Sequence, residues 1–333
     1  MKNAILRSMQ ATGAFAPFRF ANRGKALIVM YHRFSREEGT PMVSARAFAE
    51  QLDYLSSHYQ IVPLSYVAER LASRRRLPPR IAVLTIDDAY SDVYEIAFPV
   101  LRERALPATV FVVTDFAERK TWLWTDKLRF LTTRAEGEQL EFDLNGRALR
   151  CKINDPASRL EAAARINARL KMLEDRAKEE MIFGIADSLS LQLPAAPPPE
   201  FASITWDEAR EMDSNGVEIG SHTVTHPILT NIPLRRLRHE LNESRARLES
   251  ELARKVDLFC YPNGNFNLEV RGEVERAGYS CAVTSIPGFA DCASDPLALR
   301  RISTEFDMPH FIQSTSGFER VKSRLLGRSK GGL

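Results

Sequence analysis

The sequence predicts an α/β fold on a largely parallel sheet, open or closed into a barrel. Three observations carry this. Apolar, β-branched runs of about four to seven residues recur along the chain, the length of buried strands. Segments of helical period lie between them, and strands alternating with helices imply parallel pairing. The 333 residues are 44% hydrophobic and 27% charged, a balance that supports a sizeable core in one large domain or two ordinary ones.

The runs are Ala26–Tyr31, Ile81–Ile86, Ala108–Thr114, Val217–Gly220, Leu258–Tyr261 and Ser280–Thr284. Arg46–Ser57 places Phe48, Leu52 and Leu55 on one helical face, and Ser65–Arg74 and Val93–Arg104 follow the same period. Thr205-Trp206-Asp207-Glu208 is a capping box opening a helix to about Asn215, with Gly216 as its stop. Pro233 begins a long charged helix to about Arg254, and Glu269–Ala277 is a further helix ended by Gly278.

The alternation breaks between about Lys120 and Glu200. A polar stretch (Thr132–Asp155) precedes an Ala/Arg/Glu/Lys-rich helical run (Ala157–Ser188), and Pro194 to Pro199 form a semi-rigid linker. The expected organisation is an N-terminal segment (1–24), a first part of the main domain (25–119), a mostly helical insertion (120–200), a second part (201–310) and a basic C-terminal segment (311–333).

A net charge of +3, with no basic run interleaved with aromatics, argues against nucleic acid as a partner. The cysteines at 151, 260, 281 and 292 form no C-x-x-C pair and read as reduced thiols. No stretch reaches the ~20 apolar residues of a membrane span, and Ser8, Gln10 and Thr12 interrupt any signal-peptide core, so a cytoplasmic location is expected. Both ends carry apolar residues among basic neighbours: Ile5, Met9, Phe15, Phe18 and Phe20, then Phe318, Val321 and Leu325 beside Arg320, Lys322, Arg324, Arg328 and Lys330. Such segments either lie peripherally on an anionic membrane at its inner face or pack on the domain with a solvated basic side.

Three short motifs follow predicted strands: Thr85-Ile86-Asp87-Asp88, Ser221-His222-Thr223-Val224-Thr225-His226-Pro227 and Tyr261-Pro262-Asn263-Gly264. Functional groups of parallel α/β folds gather at the carboxyl ends of strands, so the three should converge. Adjacent carboxylates in different environments suit a metal ligand and a base. On a helical turn His222 and His226 share a face. Two imidazoles and a carboxylate make the three-ligand set of an open catalytic zinc site.

These motifs resemble those of the polysaccharide deacetylases, the carbohydrate esterase family 4 or NodB-homology group. Val29-Met30-Tyr31-His32 and Pro107-Ala108-Thr109-Val110-Phe111 add to the likeness, which covers about 26–120 and 200–305. It implies a distorted (β/α) barrel of about seven parallel strands. It implies hydrolysis of an acetyl group on an amino sugar of a polysaccharide; the expected cytoplasmic location favours a glycan intermediate, such as a lipid-linked one, as the substrate. One divalent cation, usually Zn2+, would be held by Asp88, His222 and His226, and Asp87 would deprotonate the metal-bound water. The Tyr261 backbone N–H would face the oxyanion and Pro262 would shape the groove.

Departures from the family pattern are also present. Ala89 stands where the family usually has Gly, a costly choice where φ is positive. The late motif with a general-acid histidine is not clear; His310 is a candidate by order, and His32, ending the first strand, would point at the catalytic face. Arg300 and Arg301 would bind a substrate anion or pair with a carboxylate. Trp122, Trp124 and Asp126 open the insertion, where the indoles would stack on sugar or pack in the core. Two other classes fit the same residues: a metal hydrolase of an imide or formyl group, and a non-catalytic glycan-binding relative.

Overall fold

The computed structural model describes residues 2–143 and 148–319. Seven parallel strands close on themselves: β1 (Ala26–Tyr31), β2 (Ile81–Ile86), β3 (Ala108–Val112), β4 (Val217–Ser221), β5 (Leu258–Cys260), β6 (Cys281–Pro287) and β7 (Leu299–Ser303). They neighbour one another in chain order, and β1 completes the ring by pairing with both β2 and β7. The β1–β2 ladder is long, running from Ala26 opposite Ile81 to Tyr31 opposite Ile86. The far side is looser: β5 meets β4 only at Phe259 and Ser221, and the register of β6 against β7 shifts between Val283 and Pro287. The barrel is therefore closed and distorted, as the family resemblance implied.

The strands read as continuous apolar runs because both faces are covered. Leu27, Val29 and Tyr31 join a cluster with Phe48, Leu52 and Leu55 of helix Ala45–His58. The alternate residues Ala26 and Ile28 share a second cluster with Phe111, Val283 and Leu299, together with Leu64 and Val67 of helix Leu64–Ala72. That division is the two-residue period of a strand.

β7 is missing from the apolar runs of the sequence because Arg300 and Arg301 occupy it; Arg301 is nonetheless buried. The helix expected over Val93–Arg104 is instead a wide π turn, Val93–Ala97, followed by helix Phe98–Glu103. Pro99, lacking an N–H, sits at that junction.

The insertion has its own core, running from Trp122 and Leu128 to Ile182 and Phe201. Helices Trp124–Arg134, Pro156–Leu170 and Asp175–Ser188 build it, together with an antiparallel hairpin of Gln139–Asp143 and Ala148–Lys152. The hairpin lay inside the stretch read as polar. Along its second strand only Leu149 and Cys151 are buried, too weak an alternation to stand out.

At the N-terminus, helices Lys2–Ala11 and Ala16–Ala21 pack on helix Met308–Ser316. Leu6, Phe15 and Ile312 are buried together, and Phe15 and Phe18 meet Phe318 edge-on. Ile5 and Phe20 remain exposed. Val321, Leu325 and the basic residues around them lie outside the described residues. Among those described, no helix is long and apolar enough to cross a membrane.

Candidate active site

The carboxyl ends of β2 and β4 carry the key loops. Asp87 continues the ladder, its N–H donating to Tyr31 O at 2.9 Å. The chain then turns through two left-handed residues, Asp88 (φ 72°) and Ala89 (φ 56°). The Ala89 carbonyl accepts from Ser203 Oγ and Ile204 N, which ties the turn to the chain returning from the insertion. The position thus does require positive φ, and Ala89 meets it while fully buried.

His222 and His226 do not share a helical turn, contrary to the reading of their spacing. They sit on an irregular loop with Thr223 (φ 72°) and His226 (φ 59°) left-handed. What aligns them is the loop's wiring. His226 N donates to Thr223 Oγ1 at 3.0 Å. Buried Glu240 accepts from the Val224 and Thr225 amides at 2.8 and 2.9 Å and from the Thr225 hydroxyl at 2.6 Å. Charge-assisted bonds of this kind are the strong ones. Nothing in the sequence singled out Glu240 on its charged helix.

Asp88, His222 and His226 converge. The Nε2 atoms lie 3.5 and 3.4 Å from Asp88 Oδ1, and the three ligand atoms are all within 4.8 Å of one another. His222 Nδ1 donates to the Cys260 carbonyl at 2.7 Å, which orients the ring so that Nε2 faces Asp88. Asp88 Oδ1 is buried and has no hydrogen-bond partner. Burial pushes the His226 imidazole down to about 3, so it is a neutral donor. Burial pushes the His222 imidazole down, but its contacts with Cys260, Asp88 and Asp87 outweigh it and hold the ring above its ordinary value. An orphaned carboxylate oxygen facing two ring nitrogens is the chemistry of a divalent-cation site, where a cation would take the place of that proton. Asp87, His222 and Cys260 also cluster. However, both Asp87 oxygens and the Cys260 sulfur receive bonds from Arg301, so that group is not a ligand set.

Of the two roles open to Arg301, binding a substrate anion or pairing with a carboxylate, the structure gives it the second and corrects the first. Its guanidinium is 1% exposed. Nη1 and Nη2 bond the two Asp87 oxygens at 2.7 and 2.6 Å, and Nε bonds the Thr284 carbonyl at 2.8 Å. A buried cation with all donors engaged has no capacity for a ligand. Burial pushes the Asp87 carboxyl up, and Arg301 outweighs it, so the group lies below its ordinary value. His32 Nε2 stands 3.7 Å from Asp87 Oδ2 with its side chain 46% exposed, at the open side of the pocket.

The third motif is corrected as well. The Tyr261 N–H donates to Val283 O at 3.2 Å in the β5–β6 ladder, and its hydroxyl to Leu297 O at 2.8 Å, so neither end is free for substrate. Pro262 is buried, and Asn263, Gly264 and Ser285 form the wall it was expected to shape. Asn263 is left-handed (φ 57°) and its N–H has no acceptor among the described residues. A Cβ on Gly264 would fall 1.9 Å from Ser285 Oγ, so only glycine closes this turn.

These groups line a cleft of about 280 Å³ together with Trp124, Thr125 and Lys171 from the insertion. Trp122 instead packs edge-on against Phe130 in the insertion core. Asp126 turns to the Tyr90 hydroxyl, which donates to it at 2.6 Å. His310 lies outside the cleft, bonded to Asp307 at the start of its helix. Lys171, which helps form the cleft, carried no sequence signal among the basic residues of its helical run.

The profile described as polysaccharide deacetylase matches residues 74–282, more than half of the chain. YxkH of Bacillus subtilis (strain 168), which carries a polysaccharide deacetylase name, is 20% identical over 279 residues, 84% of this chain and 71% of its own. The Streptococcus pyogenes deacetylase PplD, solved in complex with acetate, shares the fold with a TM-score of 0.60 at 20% identity, over 88% of this chain and 98% of that one. IcaB from Ammonifex degensii gives 0.56 at 19% identity, over 88% and 97%.

Proposed function

The chain belongs to the polysaccharide deacetylase family, hydrolases of carbohydrate acetyl groups, and from that premise we propose that it removes the acetyl group from an acetamido sugar of a polysaccharide or lipid-linked glycan with the help of one divalent cation. One observation supports this above the rest. Asp88, His222 and His226 bring three ligand atoms together, while a second carboxylate, Asp87, is held apart beside them by Arg301. Zinc suits the two-imidazole, one-carboxylate set.

A divalent cation held there supplies Lewis acidity, lowering the pKa of a water and polarising the acetyl carbonyl. The protein's own groups supply the remainder. Asp87, ionised and fixed by the guanidinium fork, accepts the proton of the attacking water. The unpaired Asn263 N–H is the backbone donor for the oxygen that gains charge at the acetyl carbon, in place of Tyr261. His32, half exposed and beside Asp87, delivers a proton to the leaving amine. Its place at the mouth of the cleft also lets it exchange that proton with solvent.

The test is acetate release from acetylated amino-sugar oligomers by the protein before and after removal of divalent cations, with Asp87→Asn beside it. The expected result is activity that is lost on chelation, restored by Zn2+, and down by about 10²-fold or more in Asp87→Asn. Acetate release indifferent to both treatments would refute the reading.

A further inference from the structure

The insertion does more than cover the barrel: it places three polar groups in the catalytic cleft. Lys171 follows helix Pro156–Leu170 and lines the cleft with Asp87, Asp88, His222 and His226. Its ammonium makes no ion pair and no hydrogen bond among the described residues, although the chain is rich in acidic side chains. Burial pushes it below its ordinary value, so the side chain is partly removed from water without compensation. Trp124 is 4% exposed, and its indole N–H is buried with no partner. Trp124 and Thr125 also open the eleven-residue helix Trp124–Arg134; the Asp126 and Lys127 amides donate to the Leu123 carbonyl, while those of Trp124 and Thr125 have no acceptor among the described residues. The one acidic group in that turn, Asp126, is engaged by Tyr90 with Arg33 nearby.

Charge balance points the same way. Arg301 cancels Asp87, and Asp88 cancels only half of a divalent cation. With the cation bound, the cleft is therefore positive before Lys171 is counted. An unpaired ammonium, an orphaned indole N–H and a helix N-terminus are together a set of donors with no acceptor, which is what an anion requires.

We propose that the insertion reads a negatively charged group, a carboxylate or a phosphate, carried by the acetylated sugar next to the reacting acetamide, with Lys171 as its ion-pair partner and Thr125 and the Trp124 indole as neutral donors. The substrate class is then an acidic acetamido glycan rather than a neutral one. This rests on the deacetylase reading for the position of the acetamide, but the anion contact itself involves no turnover.

The experiment measures binding by calorimetry to the full chain loaded with Zn2+. The probes are N-acetylglucosamine, N-acetylglucosamine 1-phosphate, N-acetylmuramic acid and inorganic phosphate, against wild type, Lys171→Met and Lys171→Arg. The expected result is that at least one acidic sugar binds about tenfold more tightly than the neutral one. That preference vanishes in Lys171→Met, with the neutral sugar unaffected, and is largely kept in Lys171→Arg. The stronger of the two acidic sugars identifies carboxylate or phosphate. Acidic sugars that bind no better than the neutral probe, or a preference that survives Lys171→Met, overturn the proposal. Inorganic phosphate binding equally well to wild type and Lys171→Met as the acidic sugars do would assign the anion to the cation and overturn it too. Loss of acetate release with the Lys171-dependent preference intact would count against the hydrolase reading alone.

Discussion

Arg301 clamps Asp87 across β1: a guanidinium on β7 grips both oxygens of a carboxylate at the tip of β2, with both side chains buried. The pair accounts for how a carboxylate stays ionised where burial alone would protonate it. Because the folded value of Asp87 is depressed, its contribution to stability is present above the unfolded value of 3.8 and is lost as pH falls through the folded one. Arg301→Met leaves an unpaired buried carboxylate, at a cost of about 3–5 kcal/mol. It also lets burial raise Asp87, so the acid limb of kcat/KM moves to higher pH. Urea titrations and pH–rate profiles check both. The double variant Asp87→Asn/Arg301→Met should recover part of the lost stability, and equal losses in single and double variants would refute the coupling.

The proposed cation site concentrates backbone strain. Asp88, Thr223 and His226 all have positive φ without being glycine, each a cost of order 1–2 kcal/mol. A ligand that binds only the folded state offsets that strain, by about 2.7 kcal/mol at a hundred times its Kd. Wild type should therefore show a Tm that rises with added Zn2+. Asp88→Asn should lose both the rise and at least nine-tenths of its bound metal after dialysis, read by elemental analysis. Retention of the full metal content by Asp88→Asn would remove Asp88 from the ligand set.

Glu240 acts on the same site from behind. It bonds two amides and a hydroxyl of the His222–His226 loop and touches neither imidazole. Glu240→Gln keeps an oxygen for the two amides, but it removes the charge that strengthens all three bonds and sets an N–H where the Thr225 hydroxyl now donates. The expected outcome is a 10- to 100-fold drop in metal affinity, with activity partly restored at high Zn2+. Unchanged metal affinity would show that the loop is aligned without it.

Where the sequence was legible, the reason is physical, and so is each failure. Six of seven barrel strands announced themselves because both faces are apolar, so no periodicity had to be resolved. β7 stayed hidden because its central residue is Arg301, a charge whose burial is tolerated only through Asp87, more than two hundred residues away. Asp88, His222 and His226 were readable from residue type and motif. The donors around them were not, because backbone amides carry no letter. Whether Tyr261 or Asn263 offers a free N–H depends on where the β5–β6 ladder ends, and that is a property of pairing rather than of either residue. Glu240 sits in a helix full of similar charges, and Lys171 just past the end of another. Only tertiary placement distinguishes them.

Ala89 tests how two small effects balance. Its left-handed backbone favours glycine by about 1–2 kcal/mol. Removing the fully buried methyl forfeits about 0.8 kcal/mol, and the added freedom of glycine in the unfolded chain costs a further 0.5–1 kcal/mol. Ala89→Gly should therefore change stability by less than about 1 kcal/mol and leave kcat unaltered. Ala89→Val, β-branched in a left-handed turn with no space around it, should lose more than about 2 kcal/mol. Denaturant midpoints at constant slope decide it; a large gain from glycine would mean that the methyl contributes nothing to the core.

Asp126 gives the insertion a pH signature of its own. Burial pushes its carboxyl up to about 7, with Asp88 adding to the effect, while the Tyr90 hydrogen bond and Arg33 pull the other way. The folded protein then holds a proton that the unfolded chain releases above about pH 4, so stability falls as pH rises from about 4 to about 7. Three units at 1.4 kcal/mol each set an upper limit of about 4 kcal/mol. Asp126→Asn keeps the shape and still accepts the Tyr90 hydroxyl, but has nothing to ionise. It should match wild type near pH 4.5 and exceed it by a few kcal/mol at pH 8. Loading the cation partly cancels the charge of Asp88, so the gap at pH 8 should narrow with Zn2+ bound. Urea unfolding of both proteins at the two pH values, with and without Zn2+, measures each step. Parallel pH dependence in the two proteins would mean that Asp126 is ionised throughout and that Arg33 outweighs its burial.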